Sequence, residues 1–148
     1  MGNWIFGCDI CQDVCPWNSK AATASEPSLR SRQDLNNPPL LELIGMGARE
    51  FNARFRRNAA KRPKRRGLLR NVAVALGNAG RTVAIPALEQ ALADVEPLVR
   101  SHAAWALGRL GGGRARRVLE AALTTEADDS VGAEIRAALT ASVAGQAE

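Results

Sequence analysis

An all-α fold is what this sequence predicts, laid out as a Cys-rich segment, a linker and a small α-solenoid. Ala, Leu, Val and Arg dominate, aromatic residues are 4% and Tyr is absent, a composition suited to close helix packing and poor in strand formers. From residue 67 the chain repeats itself with a period of 31. Its 148 residues, 46% of them hydrophobic, suffice for one ordinary domain or for a tail plus a small domain, and a full-size redox enzyme does not fit.

No run of about eighteen apolar residues is present, and no basic stretch precedes an apolar core at the N-terminus. Neither a transmembrane helix nor a signal peptide is indicated, so a cytoplasmic protein without membrane contact is expected. Three Cys crowd into eight residues. An odd number so placed makes no disulfide framework, and in a reducing compartment it reads as metal binding.

Residues 1–18 hold the Cys and Trp cluster, and residues 19–47 read as a linker or extended segment. Ser, Ala, Asn and Pro without sustained period fill the stretch from Ser19 to Pro39, and a short helix is expected around Leu40 to Ile44. Residues 48–66 read as a basic helix running from Ala48 to about Arg62, where Pro63 ends it. Residues 67–148 hold about 2.5 repeats. A shift of 31 superposes Ala73 on Ala104, Leu76 on Leu107, Gly77 on Gly108, Gly80 on Gly111, Leu88 on Leu119 and Leu92 on Leu123. One unit is therefore helix, Gly-containing turn, helix. A degenerate third copy begins at Asp128 with a shift of 32 and ends after one helix, as a cap does. Such periods mean an α-solenoid. Glu96, Val99, Arg100, Ala103, Ala106, Leu107 and Gly108 resemble the first helix of a short HEAT-like repeat.

The net charge of +5 is not spread evenly: residues 49–70 carry ten Lys or Arg against Glu50 alone, for +9. A solvated helix face is the ordinary explanation of such a run. Phosphate binding explains it better, because ten mutually repelling cations call for a polyanion. Lys61, Arg62, Lys64, Arg65, Arg66 and Arg70 are the candidate contacts. With no aromatic ladder interleaving the run, they would meet backbone rather than bases.

Cys8, Cys11 and Cys15 stand in the spacing C-x2-C-x3-C-P, the last three positions of the two-cluster ferredoxin run, with Ile5 where the first Cys would be. In that run the Cys before Pro ligates the neighbouring cluster, which separates Cys15 from Cys8 and Cys11. The segment is thus read as the C-terminal end of a ferredoxin-like domain with two [4Fe-4S] clusters. A zinc knuckle, a redox-active pair or buried thiols remain open on spacing alone. Trp4 and Trp17 flank the motif and either shield a cluster or pack in the core. Asp9 and Asp13 read as turn residues, His102 receives no function, and Trp105 reads as core.

The flanking residues narrow the reading. Gly2-Asn3-Trp4-Ile5-Phe6-Gly7-Cys8-Asp9-Ile10-Cys11-Gln12-Asp13-Val14-Cys15-Pro16-Trp17-Asn18 resembles the second cluster motif of tRNA epoxyqueuosine reductases, and Lys64 to Asn78 resembles the point where that family enters its HEAT-like module. The resemblance implies the C-terminal portion of a cobalamin-dependent oxidoreductase with two [4Fe-4S] clusters, which reduces epoxyqueuosine to queuosine in the tRNA anticodon. It implies Cys8 and Cys11 on one cluster, Cys15 on the other, and the anticodon arm as partner. The family's N-terminal region with its cobalamin pocket is absent, so this chain is expected to hold no catalytic residue, to be inactive alone, and to be a truncation or an excised part. A monomer with an unidentified electron donor is expected. Two other classes stand beside it: a ferredoxin-like electron-transfer module, and a HEAT-repeat scaffold without redox role.

Overall fold

The structure, a computed structural model, describes residues 5–22, 25–26, 35 and 37–144, the last three by backbone alone. Every regular element among them is helical: α1 Ile10–Asp13, α2 Leu40–Ile44, α3 Ala48–Arg54, α4 Lys64–Ala79, α5 Ile85–Ala91, α6 Pro97–Leu110, α7 Gly112–Thr125 and α8 Asp129–Ala144. Single 3-10 turns stand at Asn18–Lys20, Ala59–Lys61 and Thr82–Ala84.

Three long helices, α4, α6 and α8, stack side by side, and α5 and α7 pack behind them. Apolar residues at helical spacing make the contacts. Leu68, Val72 and Leu76 of α4, Val99, Ala103 and Leu107 of α6, and Val131, Ile135 and Ala138 of α8 are all buried. Leu88 and Leu119 close the core from the second layer, each fully buried. Each pair buries its stripe only against its neighbours, which is solenoid construction.

Pro starts α6, where its missing N–H is harmless. Gly80 and Gly111, at φ +66° and +63°, let the chain leave α4 and α6. No helix among the described residues is long and apolar enough to cross a membrane.

The basic region departs from expectation. The helix expected from Ala48 to about Arg62 stops at Arg54. Arg57 turns left-handed at φ +56°, and Asn58 is extended, its side-chain oxygen accepting the Ala60 N–H at 2.8 Å to start the turn at Ala59–Lys61. The break lets Phe51 and Phe55, ring centroids 5.2 Å apart, both enter the core while the chain turns into α4. The end of the stretch read as linker also differs, because Leu43, Ile44 and Met46 are buried and α2 packs on α4 and α5. Of the segment from Ser19 to Pro39, residues 23–24, 27–34 and 36 lie outside the described residues.

Candidate functional site

The Cys segment is shaped by its own backbone. Gly7 takes φ +71°, and the N–H groups of Gln12 and Asp13 donate to the Asp9 carbonyl at 2.7 and 2.9 Å, closing the turn that carries Cys11. Asn18 ties the other end: its amide donates to Gln12 Oε1 at 2.6 Å and to the Gln12 carbonyl at 3.2 Å. The Ser19 hydroxyl donates to the Pro16 carbonyl at 2.7 Å. Gln12 and Asn18, two of the residues that make the motif narrow, are thus the ones that close its loop.

All three thiols are free; Cys8 and Cys11 are exposed and Cys15 is half-buried. Phe6, Ile10, Val14 and Trp17 beside them are exposed too, Val14 by 71% and Trp17 by 89%. Such a cluster of large apolar side chains on a short segment marks a surface built to be covered. Trp17 is not a core residue, which removes one of its two expected roles. Trp4 lies outside the described residues. Among the described residues, no group of three or more His, Cys, Asp and Glu side chains is placed to hold a metal ion. The thiols suit a partial ligand set: accessible, unpaired, and incomplete without donors from elsewhere.

Asn71 of α4 fastens the segment to the solenoid, its Nδ2 donating to the Ile5 carbonyl at 2.7 Å. Arg70 in turn donates from Nε and Nη2 to Asn71 Oδ1 at 3.0 and 2.8 Å. Sequence reasoning missed Asn71; its signal was a poor helix former in the middle of an apolar helix. A cleft of about 670 Å³ lies alongside, bordered by Phe6 and Asp9 on one side and by Phe55, Asn58 and Leu68 on the other.

The six candidate cations divide. Lys61, Arg62, Lys64 and Arg66 are exposed, and Arg70 is half-buried on Asn71. Arg66 stands 3.9 Å from the Glu96 carboxylate, both side chains well exposed, a loose pair that a phosphate can displace.

Arg65 differs from the other five in being held by a two-pronged ion pair within the fold. Its Nη1 and Nη2 donate to the two Asp94 oxygens at 3.0 and 2.5 Å, and its Nε donates to the Met46 carbonyl at 2.7 Å. The two side chains are only 19% and 8% exposed, so Arg65 ties the start of α4 to the turn before α6. The hydrogen bond to Asp94 raises the Arg65 pKa against the opposing effect of burial. Burial is the largest single influence on Asp94 and pushes its pKa up. The Arg65 hydrogen bond, the Glu96 N–H and the charges of Arg65 and Arg100 together outweigh it and hold Asp94 below the ordinary carboxylate range.

His102 keeps Nδ1 2.9 Å from the Leu98 carbonyl of its own helix, a hydrogen bond that uses the tautomer with the proton on that nitrogen. Trp105 is half-buried against the core, with the Arg109 guanidinium 6.0 Å from its ring centroid.

Residues 57–140 match the family of HEAT repeats. The epoxyqueuosine reductase of Xanthomonas campestris pv. campestris is 43% identical over 112 residues, covering 75% of this chain and 32% of the relative. That of Bacillus subtilis is 32% identical over 136 residues, covering 91% of this chain and 35% of the relative. A crystal structure of epoxyqueuosine reductase with a tRNA-Tyr epoxyqueuosine-modified tRNA stem loop superposes with a TM-score of 0.89 at 30% identity, covering 96% of this chain and 38% of that chain. The Streptococcus thermophilus epoxyqueuosine reductase superposes with a TM-score of 0.73 at 26% identity, covering 91% of this chain and 36% of that chain. The chain thus spans about a third of the length of the curated relatives it matches.

Proposed function

We propose that this chain, which belongs to the HEAT-repeat family, is the part of a cytoplasmic, tRNA-acting epoxyqueuosine reductase that completes two [4Fe-4S] clusters and holds the tRNA anticodon arm. The observation that carries the reading is a likeness covering 96% of the chain, the Cys segment and the solenoid together, at a TM-score of 0.89. A scaffold with incidental Cys would have no need of a thiol loop tied shut by Gln12 and Asn18 and fastened to α4 by Asn71.

In this reading Cys8 and Cys11 supply thiolates to one cluster and Cys15 to the other, and the clusters, when bound, supply electrons. The chain's own residues do the rest. Gln12, Asn18 and Gly7 fix the loop, while Phe6, Ile10, Val14 and Trp17 lie where they exclude water from whatever covers it. Lower local dielectric around a cluster tunes its potential. Cobalamin and the epoxide chemistry belong to a region outside these residues.

The cations fit an anionic partner. Lys64 and Arg66 sit in the first turn of α4 with no acid beside them in that turn, where the helix dipole already concentrates positive charge and disfavours more. A phosphate backbone relieves both.

The test is anaerobic reconstitution. The chain by itself is expected to bind less than one full cluster, since a [4Fe-4S] cube takes four thiolates and the chain has three Cys. In the full-length protein, Cys15→Ser is expected to remove a different cluster signal from that lost in Cys8→Ser or Cys11→Ser. Loss of one and the same signal in all three variants overturns the two-cluster assignment.

A further inference from the structure

The geometry points to Asn71 as a positioning residue through which a phosphate bound at Arg70 orders the Cys8 loop, an inference that rests on the RNA-binding reading above. Asn71 is a costly choice for the middle of α4, since Asn is among the weaker helix formers and its side chain competes for backbone bonds. Here it makes none within its own helix that would explain it. Its Oδ1 accepts both Nε and Nη2 of Arg70, and its Nδ2 donates to the carbonyl of Ile5, 66 residues away in sequence and three before Cys8.

Arg70 engages Asn71 through the Nε and Nη2 edge, and neither bond uses Nη1. A guanidinium has five donors in a rigid fork, so a phosphate oxygen on the remaining edge adds to the Asn71 contact rather than replacing it. Arg66, four residues earlier on α4, lies on the same helix face as Arg70.

Before an anion binds, holding Arg70 in this one pose costs rotamer entropy. A phosphate that meets this cost locks Arg70, Arg70 locks the Asn71 amide, and the amide holds the Ile5 carbonyl. Bonds in such a series also polarise and strengthen one another. The loop beyond Ile5 turns at Gly7, at φ +71°, and among the described residues makes no hydrogen bond to α4 across Phe6–Asp9. Its hydrogen-bonded attachment to α4 therefore runs through the Ile5 carbonyl, beside the packing of the Ile5 side chain on the core.

The relay is tested on the whole 148-residue chain with an anticodon stem-loop RNA. Two quantities are read: RNA affinity across a salt series, and amide hydrogen exchange of residues 5–15 with and without RNA. In wild type, RNA is expected to slow exchange in this segment by about fivefold, the weight of one ordinary hydrogen bond. Asn71→Asp keeps an acceptor for Arg70 but has no donor for the Ile5 carbonyl, and Asn71→Ala removes both. Asn71→Ala is expected to bind RNA with nearly the wild-type salt slope and Asn71→Asp with a slope lower by up to about one unit, its carboxylate competing for Arg70; both are expected to lose the RNA-dependent slowing. Slowing that persists in Asn71→Asp overturns the relay, because RNA then merely covers the loop. Wild type that binds RNA without slowing overturns it as well, leaving the RNA-binding reading intact. Wild type that binds no RNA overturns both.

Discussion

Asp94 and Glu126 do the same work in successive repeats. Asp94 accepts the Glu96 N–H at 3.0 Å and the two prongs of Arg65; Glu126 accepts the Asp128 N–H at 2.9 Å and the two prongs of Arg100 at 2.8 and 2.9 Å. Arg100 also donates to the Asp94 carbonyl at 2.9 Å, which joins one repeat to the next. The Arg100 hydrogen bond, ahead of the opposing burial, lowers the Glu126 pKa, as the Arg65 bond helps lower that of Asp94. A carboxylate whose folded pKa is depressed contributes stability that is present above its unfolded pKa and lost as pH falls through the folded one. Thermal stability is therefore expected to drop as pH falls below about 4, the unfolded carboxylate value. Part of that acid dependence should vanish in Asp94→Ala and Glu126→Ala. Asp94→Ala at neutral pH should cost about 2–4 kcal/mol by leaving Arg65 buried without its partner. Arg65→Met together with Asp94→Ala should recover part of the loss, measured by denaturant unfolding. If Asp94→Ala costs less than the double variant, Arg65 is not held as described. The sequence made Arg65 legible as one of ten cations, but its acid lies 29 residues away and belongs to no local pattern.

At the scale of the element, the period was readable because one contact recurs. A Cβ added to Gly108 of α6 would stand 2.8 Å from Ala138 Cβ and 2.9 Å from its Cα, and one added to Gly77 of α4 would stand 2.9 Å from the Trp105 ring and 3.0 Å from Ala106 Cα. The long helices approach so closely that only Gly fits, and the shift of 31 falls on this pair. Gly108→Ala is expected to destabilise by about 1–3 kcal/mol, because the obstacle is backbone and cannot step aside. Gly132→Ala, whose Cβ would meet only the flexible end of Arg136 at 3.5 Å, should instead stabilise by about 0.5–1 kcal/mol through helix propensity. Opposite signs in chemical denaturation support the close approach, and two stabilised variants refute it. The break between α3 and α4 was not readable in the same way. It needs left-handed residues, and the chain places Arg57 and Lys64 there rather than the Gly or Asn that would have announced it. Helical period continues on both sides, and only Asn58 hinted at a new start.

Over the whole molecule, the positive charge and the largest group of exposed apolar side chains among the described residues both lie ahead of the repeats, in which Val83 and Val95 are exposed singly. The turn at Ala59–Lys61, the start of α4 and the Cys segment bring exposed cations, free thiols and Phe6, Ile10, Val14 and Trp17 to the part of the fold that precedes the repeats. The repeats beyond it are near balance, with residues 82–148 at −3. Counting charges along the sequence found this asymmetry; it could not say which cations were already committed. The structure makes that distinction, and it changes the RNA-binding experiment. Arg62, Lys64 and Arg66 are exposed, whereas Arg65 is spent on Asp94 and the Met46 carbonyl. Replacing Arg62, Lys64 and Arg66 with Ala should flatten the salt dependence of stem-loop RNA binding by roughly two to three units, since each phosphate contact releases about one counterion. Preference among RNA sequences should change little, because such contacts read backbone. Unfolding midpoints should stay near wild type, exposed cations being worth little to the fold. Arg65→Ala should do the reverse, lowering the unfolding midpoint while a folded sample keeps the wild-type salt slope. A triple variant that folds and binds with an unchanged slope would show that the cationic stretch is a solvated surface. A folded Arg65→Ala that loses about one unit of slope would show that Arg65 leaves Asp94 for the RNA.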